Sequence, residues 1–181
     1  MPQHVTADLR SAASMRSRVG SGAVLSLDAA RQRRARLASR DVIRVAVVAS
    51  HAITRAGLRR LLDDDAGLAV VGEASADADA AALIRATDAD VIVVDADCVG
   101  PEPRWSEVLD GRSPVLLLIT SDAEEHLLAA LRAGATGMLA KDSHPAELAS
   151  AIRTLARGGA LLPPRIARRL IAELVHAPAP S

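Results

Sequence analysis

Short apolar runs alternate along the chain with longer segments in which apolar residues recur at helical spacing. Unbroken apolar runs rich in β-branched residues are typical of parallel strands buried on both faces, and helices between them would cover those faces. The alternation therefore predicts a doubly wound α/β domain with three layers. Five runs predict strands, at Ile43–Val48, Leu68–Val71, Val91–Val94, Val115–Ile119 and Gly137–Ala140.

The segments between the predicted strands carry the spacing and the end signals of helices. Pro145 suits the first turn of a helix, and Gly158-Gly159 would end that helix. Asp77 or Asp79, and Ser121 with Glu124, could cap the beginnings of two further helices, and Gly134 would end the second of them. The apolar positions that predict the helix faces are Leu58, Leu61 and Leu62; Ala81, Leu83 and Ile84; Leu127, Leu128 and Leu131; and Leu148, Ile152 and Leu155.

Both ends of the chain are predicted to lie outside this domain. Residues 1–40 hold eight Arg, two acidic residues and no sustained apolar period, which predicts a disordered, basic N-terminal extension. Contact of this extension with nucleic acid or an anionic surface is the alternative. Residues 41–160 are predicted to form the domain, and residues 161–181 a linker helix followed by a disordered tail.

Composition narrows the function classes. A single cysteine, Cys98, excludes an internal disulfide and a cysteine-based zinc site. No apolar run approaches the roughly 20 residues that a membrane span needs. Because no secretory leader opens the chain either, we expect a cytoplasmic protein without membrane contact.

Polar residues follow the predicted strands at their carboxyl ends, where doubly wound folds bind their ligands. Asp95 follows the third strand, Thr120 the fourth and Lys141 the fifth. This set suits phosphoryl chemistry, because Asp95 could form an acyl phosphate whose oxygens Thr120 and Lys141 would bind. Taken singly, an aspartate or a threonine at these positions is more often a turn-capping residue than a functional one. Lys141 carries more weight, since it is the one lysine beside twenty-one arginines.

The order of these motifs resembles receiver domains of two-component response regulators in the NarL/FixJ branch. The resemblance extends over roughly residues 42–174. It is carried by the stretches IRVAVVASHAITRAGLRRLL, VVGEASADADAA, VIVVDADCVG, VLLLIT, ALRAGATGMLAKD and ELASAIRTLARGGALLPPRIARRLI.

The resemblance implies a flavodoxin-like fold with a five-stranded parallel sheet in the order 2-1-3-4-5. It places Asp95 at the phosphoacceptor position, Thr120 at the switch hydroxyl and Lys141 at the phosphate-binding lysine. It also implies phosphorelay signal transduction in transcription regulation. The implied partners are a histidine kinase or another regulator, and a second copy of the chain in a homodimer.

One departure from the family pattern concerns metal binding. Ala49 and Ser50 stand where the resemblance implies two acidic residues that hold Mg²⁺ together with the phosphoacceptor. Asp95 and Asp97 are then the carboxylates left as candidate ligands for a hard cation. We therefore expect no resident metal or cofactor, weak Mg²⁺ binding, and weak or no phosphorylation of Asp95.

The other departures concern the switch and the C-terminus. Met138 occupies the aromatic switch position, and Val99 replaces a usual proline. In this branch a helix-turn-helix domain follows the receiver, whereas this chain ends after a predicted linker helix at Arg165–Leu174. We therefore expect no sequence-specific DNA binding by the chain, and Arg31–Arg40 would at most contact phosphates.

Three functions compete at this stage. The first is an atypical receiver that acts through protein–protein contacts, and the second is a truncated LuxR-type DNA-binding transcriptional regulator. The third is a flavodoxin-like enzyme, but the sequence has no dinucleotide fingerprint after the first strand, no phosphate loop and no hydrolase or zinc-protease motif. We therefore expect a protein that is not an enzyme, and the first function is favoured.

Overall fold

The computed structural model describes residues 41–75, 78–98, 113–120, 128–131 and 134–176. Several predictions fall outside these residues: the disordered extension and tail, the position of Val99, and the capping signals at Asp77 and at Ser121 with Glu124. The described residues form one sheet and the helices packed on its two faces.

The sheet has five parallel strands, β1 (Ile43–Val48), β2 (Leu68–Ala74), β3 (Val91–Asp95), β4 (Val115–Ile119) and β5 (Gly137–Ala140). Their order in the sheet is β2-β1-β3-β4-β5, as predicted. Every residue of β3 and β4 is buried, which explains why both strands have unbroken apolar sequences.

Helices follow β1, β2 and β5, as predicted. A single 3₁₀ turn, Ala96–Cys98, follows β3, and residues 128–131 are helical. Gly134 and Gly158 have φ of 115° and 85°, values that favour glycine and that end the helical turns before them. The helix bounds are α1 (Ala52–Asp63), α2 (Ala78–Thr87), α3 (Pro145–Ala156) and α4 (Pro164–His176).

Alternate residues of the strands face two separate cores. Val45 and Val47 of β1 face the core that α1 and α3 cover, and Ala46 and Val48 face the opposite one. The predicted stripe of α3 is confirmed, because Leu148, Ile152 and Leu155 are all buried in the first core. The sheet between two helical layers is the predicted three-layer architecture.

The segment after α3 crosses the edge of the sheet. Leu161 pairs with Gly137, and its carbonyl accepts a hydrogen bond of 2.7 Å from the Met138 N–H. Ile166 of α4 is fully buried in the second core, where Met138 also lies. α4 is therefore packed on the sheet, while its role as a linker and the domain limits at residues 40 and 160 stay predictions.

The structure corrects three details of the prediction. Strand β2 runs on to Ala74, because Gly72 to Ala74 continue the pairing with β1 beyond a bulge. Leu61 is 43% exposed, although the spacing predicts it on the buried face of α1. Asp79 lies inside α2 and is therefore not its N-cap. Within the described ranges, no helix has the length and apolar character of a bilayer-spanning segment.

Candidate functional site

The predicted site residues follow neighbouring strands of the sheet, at the edge where parallel strands end. Asp95 is the last residue of β3 and is only 2% exposed. Thr120 comes directly after β4, and Lys141 directly after β5. The Lys141 N–H donates to the Ile119 carbonyl at 2.9 Å, which fixes the start of its side chain beside β4.

Lys141 joins two carboxylates in this crevice. Its Nζ lies 2.5 Å from Oδ1 of Asp95 and 2.5 Å from Oδ2 of Asp97. The ion pair with Asp95 is largely removed from water, because the Asp95 side chain is almost completely buried. A buried carboxylate of this kind depends on its cation, since an unpaired charge away from water is costly.

Asp97 reaches the same place through the 3₁₀ turn after β3. Its backbone N–H donates to Oδ1 of Asp95 at 3.1 Å, which folds the turn back over the end of the strand. The hydroxyl of Thr120 lies 3.0 and 2.9 Å from the two carboxylate oxygens of Asp97. Thr120 and Lys141 therefore meet on Asp97.

The electrostatics of the site follow from these contacts. Hydrogen bonding from Lys141 lowers the pKa of Asp97, and the Thr120 hydroxyl acts in the same direction. Burial opposes the charge on Lys141, but hydrogen bonds to Asp95 and Asp97 outweigh it and raise the pKa of Lys141. The ammonium and the Asp97 carboxylate are thus both ionised at neutral pH.

The positions of the expected acidic pair lie at the carboxyl end of β1. Ala49 is fully buried and carries no polar side chain, and Ser50 is exposed. The guanidinium of Arg55 donates to the carbonyl of Ala49 at 2.6 Å and to that of Ser50 at 2.9 Å. Arg55 was not predicted as a site residue; its signal in the sequence would have been a cation one turn into the helix that follows this loop.

These donors do not fit a resident Mg²⁺ ion. The ion prefers several oxygen ligands in near-octahedral geometry. Here the Lys141 ammonium already contacts both carboxylates of the crevice, and Ala49 offers no side-chain oxygen. Across the described ranges, no three His, Cys, Asp or Glu side chains are grouped as cation ligands.

The remaining candidate position, Met138, lies away from the crevice. Its side chain is 1% exposed and packs in the second core with Leu117 and Ile166. An apolar cleft of about 280 Å³ lies between α1 and the start of α3, on the other face of the sheet from Met138, and Lys141 is among the residues that line it. Leu61 lines that cleft, which explains why it is half exposed.

Comparison with known proteins identifies the family. Residues 45–153 match the response regulator receiver domain. The chain belongs to this family. It is thus a receiver domain of two-component systems, and its relatives are of the NarL/LuxR type.

Individual relatives agree with this assignment. The chain is 35% identical over 144 residues to the uncharacterized transcriptional regulatory protein YxjL of Bacillus subtilis, covering 77% of this chain and 66% of YxjL. It is 36% identical over 126 residues to the nitrate/nitrite response regulator protein NarP of Escherichia coli, covering 67% and 59%. The chain thus spans less than two thirds of these relatives' lengths.

A solved structure shows the same architecture. The crystal structure of a LuxR-family two-component response regulator from Aurantimonas sp. superposes with a TM-score of 0.62 at 36% identity. The superposition covers 75% of this chain and 99% of that one. Within this frame, the roles of Asp95, Thr120 and Lys141 as phosphoacceptor, switch hydroxyl and phosphate-binding lysine stay predictions.

Proposed function

We propose that this chain is an atypical receiver that is not switched by Mg²⁺-dependent phosphorylation of Asp95 and acts through protein–protein contacts in transcription regulation. One observation carries the proposal: the Lys141 ammonium contacts both carboxylates of the crevice, and no further acid stands at Ala49 or Ser50. The partners are a histidine kinase or another regulator, and a second copy of the chain, in the cytoplasm.

Weak metal binding follows from the ligands that are left. Asp95 and Asp97 are the carboxylates available, and a cation could bind them only by displacing Lys141. Mg²⁺ gives up its water reluctantly and gains little from such partial coordination. Transfer of a phosphoryl group to a carboxylate needs the negative charge of donor and acceptor neutralised, a task that metal ions usually perform. Asp95 is therefore a poor phosphoacceptor in this chain, and the protein is a signalling module without enzyme activity.

A LuxR-type transcriptional regulator is the second candidate. The relatives are longer than this chain, and YxjL is by name a transcriptional regulatory protein. In this alternative the receiver works together with a DNA-binding helix-turn-helix domain. A helix-turn-helix encoded directly downstream of this chain would favour this candidate, whereas any contacts of the receiver itself with DNA phosphates would weaken steeply as salt rises.

Restoring the acids tests the proposal. In the variant Ala49→Asp with Ser50→Asp, we expect Mg²⁺ affinity measured by calorimetry to rise at least tenfold. If a charge at buried Ala49 impairs folding, the single variant Ser50→Asp is used for the same Mg²⁺ affinity measurement. The matched control is Ser150→Asp with Ala160→Asp, which adds the same charge at exposed positions away from the crevice. An unmodified chain that binds Mg²⁺ as tightly as the restored variant would contradict the proposal.

A further inference from the structure

The Asp97 carboxylate accepts hydrogen bonds from the Thr120 hydroxyl and the Lys141 ammonium, the two donors that a phosphoryl group on Asp95 would need. A hydroxyl and an ammonium that converge on one point form a binding site for an oxyanion. In this chain the Thr120 hydroxyl and the Lys141 ammonium form that oxyanion seat. Both oxygens of Asp97 lie within 3.0 Å of the Thr120 Oγ1, and one of them lies 2.5 Å from the Lys141 Nζ.

The contact is built into the backbone. Asp97 follows Asp95 by two residues, and its N–H is anchored on the Asp95 carboxylate. A group tethered by so short a linker competes at an effective concentration on the order of millimolar or more. A free phosphate or phosphodonor must therefore displace the Asp97 carboxylate from Thr120 and Lys141 before it can bind there.

We propose that Asp97 is an internal stand-in for the phosphoryl group, which fills the oxyanion seat and holds the receiver in one state without a phosphodonor. The inference rests on the proposed function, in which aspartyl phosphate does not switch the domain. It adds that the seat is intact, and that removal of Asp97 turns it into a site for a tetrahedral oxyanion of the phosphate class.

The test removes the tethered carboxylate and offers inorganic phosphate instead. In Asp97→Ala, we expect the methyl resonance of Thr120 to shift, because its hydroxyl loses both oxygens of Asp97. Phosphate, titrated against that resonance, is expected to bind at least tenfold more tightly than to the unmodified chain. The double variant Asp97→Ala with Thr120→Val is expected to lose this gain in phosphate affinity. Its phosphate titration is followed through the amide resonance of Lys141, because the variant has no Thr120 methyl. Asp142→Ala is the matched control, because it removes an exposed aspartate next to Lys141.

Each outcome decides the inference. It is overturned if Asp97→Ala leaves either the Thr120 resonance or the phosphate affinity unchanged while Val93 and Leu117 report an intact core. Asp97→Asn, which keeps the shape and removes the charge, is expected to show a smaller gain in phosphate affinity and guards against misfolding of the alanine variant. The proposed function fails on a different result, Mg²⁺-dependent phosphorylation of the unmodified chain, so the two failures are distinguishable.

Discussion

Replacing Lys141 by Met tests how strongly the crevice depends on its one ammonium. The change keeps the length of the side chain and leaves the buried Asp95 carboxylate, 2% exposed, with a hydrogen bond of 3.1 Å from the N–H of Asp97. Removing one partner of a buried ion pair costs about 3–5 kcal/mol in general.

Exposure of Lys141 to solvent lowers the free energy that Lys141→Met is expected to cost. The Lys141 side chain is 30% exposed, so water can replace part of its contact with Asp95. We therefore expect Lys141→Met to lower the free energy of unfolding by about 2–3 kcal/mol at pH 7. Adding Asp95→Asn removes the stranded charge and is expected to return most of that loss. Urea denaturation of the two single variants and the double variant gives the coupling energy of the pair.

A matched control separates this effect from the loss of any cation. Arg60→Met breaks an exposed helical pair with Asp64, in which the Arg60 side chain is 80% exposed. Such pairs contribute about 0.3–0.5 kcal/mol. If Lys141→Met costs no more than Arg60→Met, or if Asp95→Asn restores nothing, the crevice does not rest on this ion pair and the reasoning is refuted.

Two further predictions concern the body of the domain. Ile166→Ala should lower the free energy of unfolding by about 2–4 kcal/mol in urea denaturation and speed hydrogen exchange of the Met138 N–H. The control Ile171→Ala, at a position 60% exposed on the same helix, should change both quantities very little. Equal effects of the two variants would mean that α4 is not part of the core. Asp65 accepts hydrogen bonds from Arg153, which lower the pKa of Asp65, so Asp65→Asn should cost about 1–2 kcal/mol at pH 7. Because the pKa of Asp65 is lowered in the folded state, its ionised form stabilises the fold above the ordinary pKa of an aspartate, and this stability is lost as pH falls through the folded-state pKa. The free energies of unfolding of the unmodified chain and of Asp65→Asn should therefore converge in acid. A difference that does not change with pH would contradict this assignment.

The strands could be predicted because burial on both faces leaves a plain record in the sequence. Apart from Asp95 at the end of β3, every residue of β3 and β4 is apolar, and short runs of this kind are typical of parallel strands buried on both faces. The end of β2 was not visible in the same way. Glu73 pairs with Val47 in the sheet although it carries no apolar signal, because the register of β1 continues past the bulge.

The site could be predicted in part. The ends of parallel strands bring Asp95, Thr120 and Lys141 to one edge whatever the loops do. The central contact of Asp97 depends on a single 3₁₀ turn that folds back over β3, and no spacing rule indicates that turn. Sequence reasoning therefore ranked Asp97 as a weak metal ligand, whereas the structure shows it bound to Thr120 and Lys141.

The most direct test of the account is the intact mass of the unmodified chain after incubation with a small-molecule phosphodonor and Mg²⁺. We expect no phosphoryl group at Asp95, while the variant Ala49→Asp with Ser50→Asp under the same conditions acquires one. If the unmodified chain readily takes up a phosphoryl group at Asp95, with the Mg²⁺ dependence in the ordinary millimolar range, the central claim is wrong.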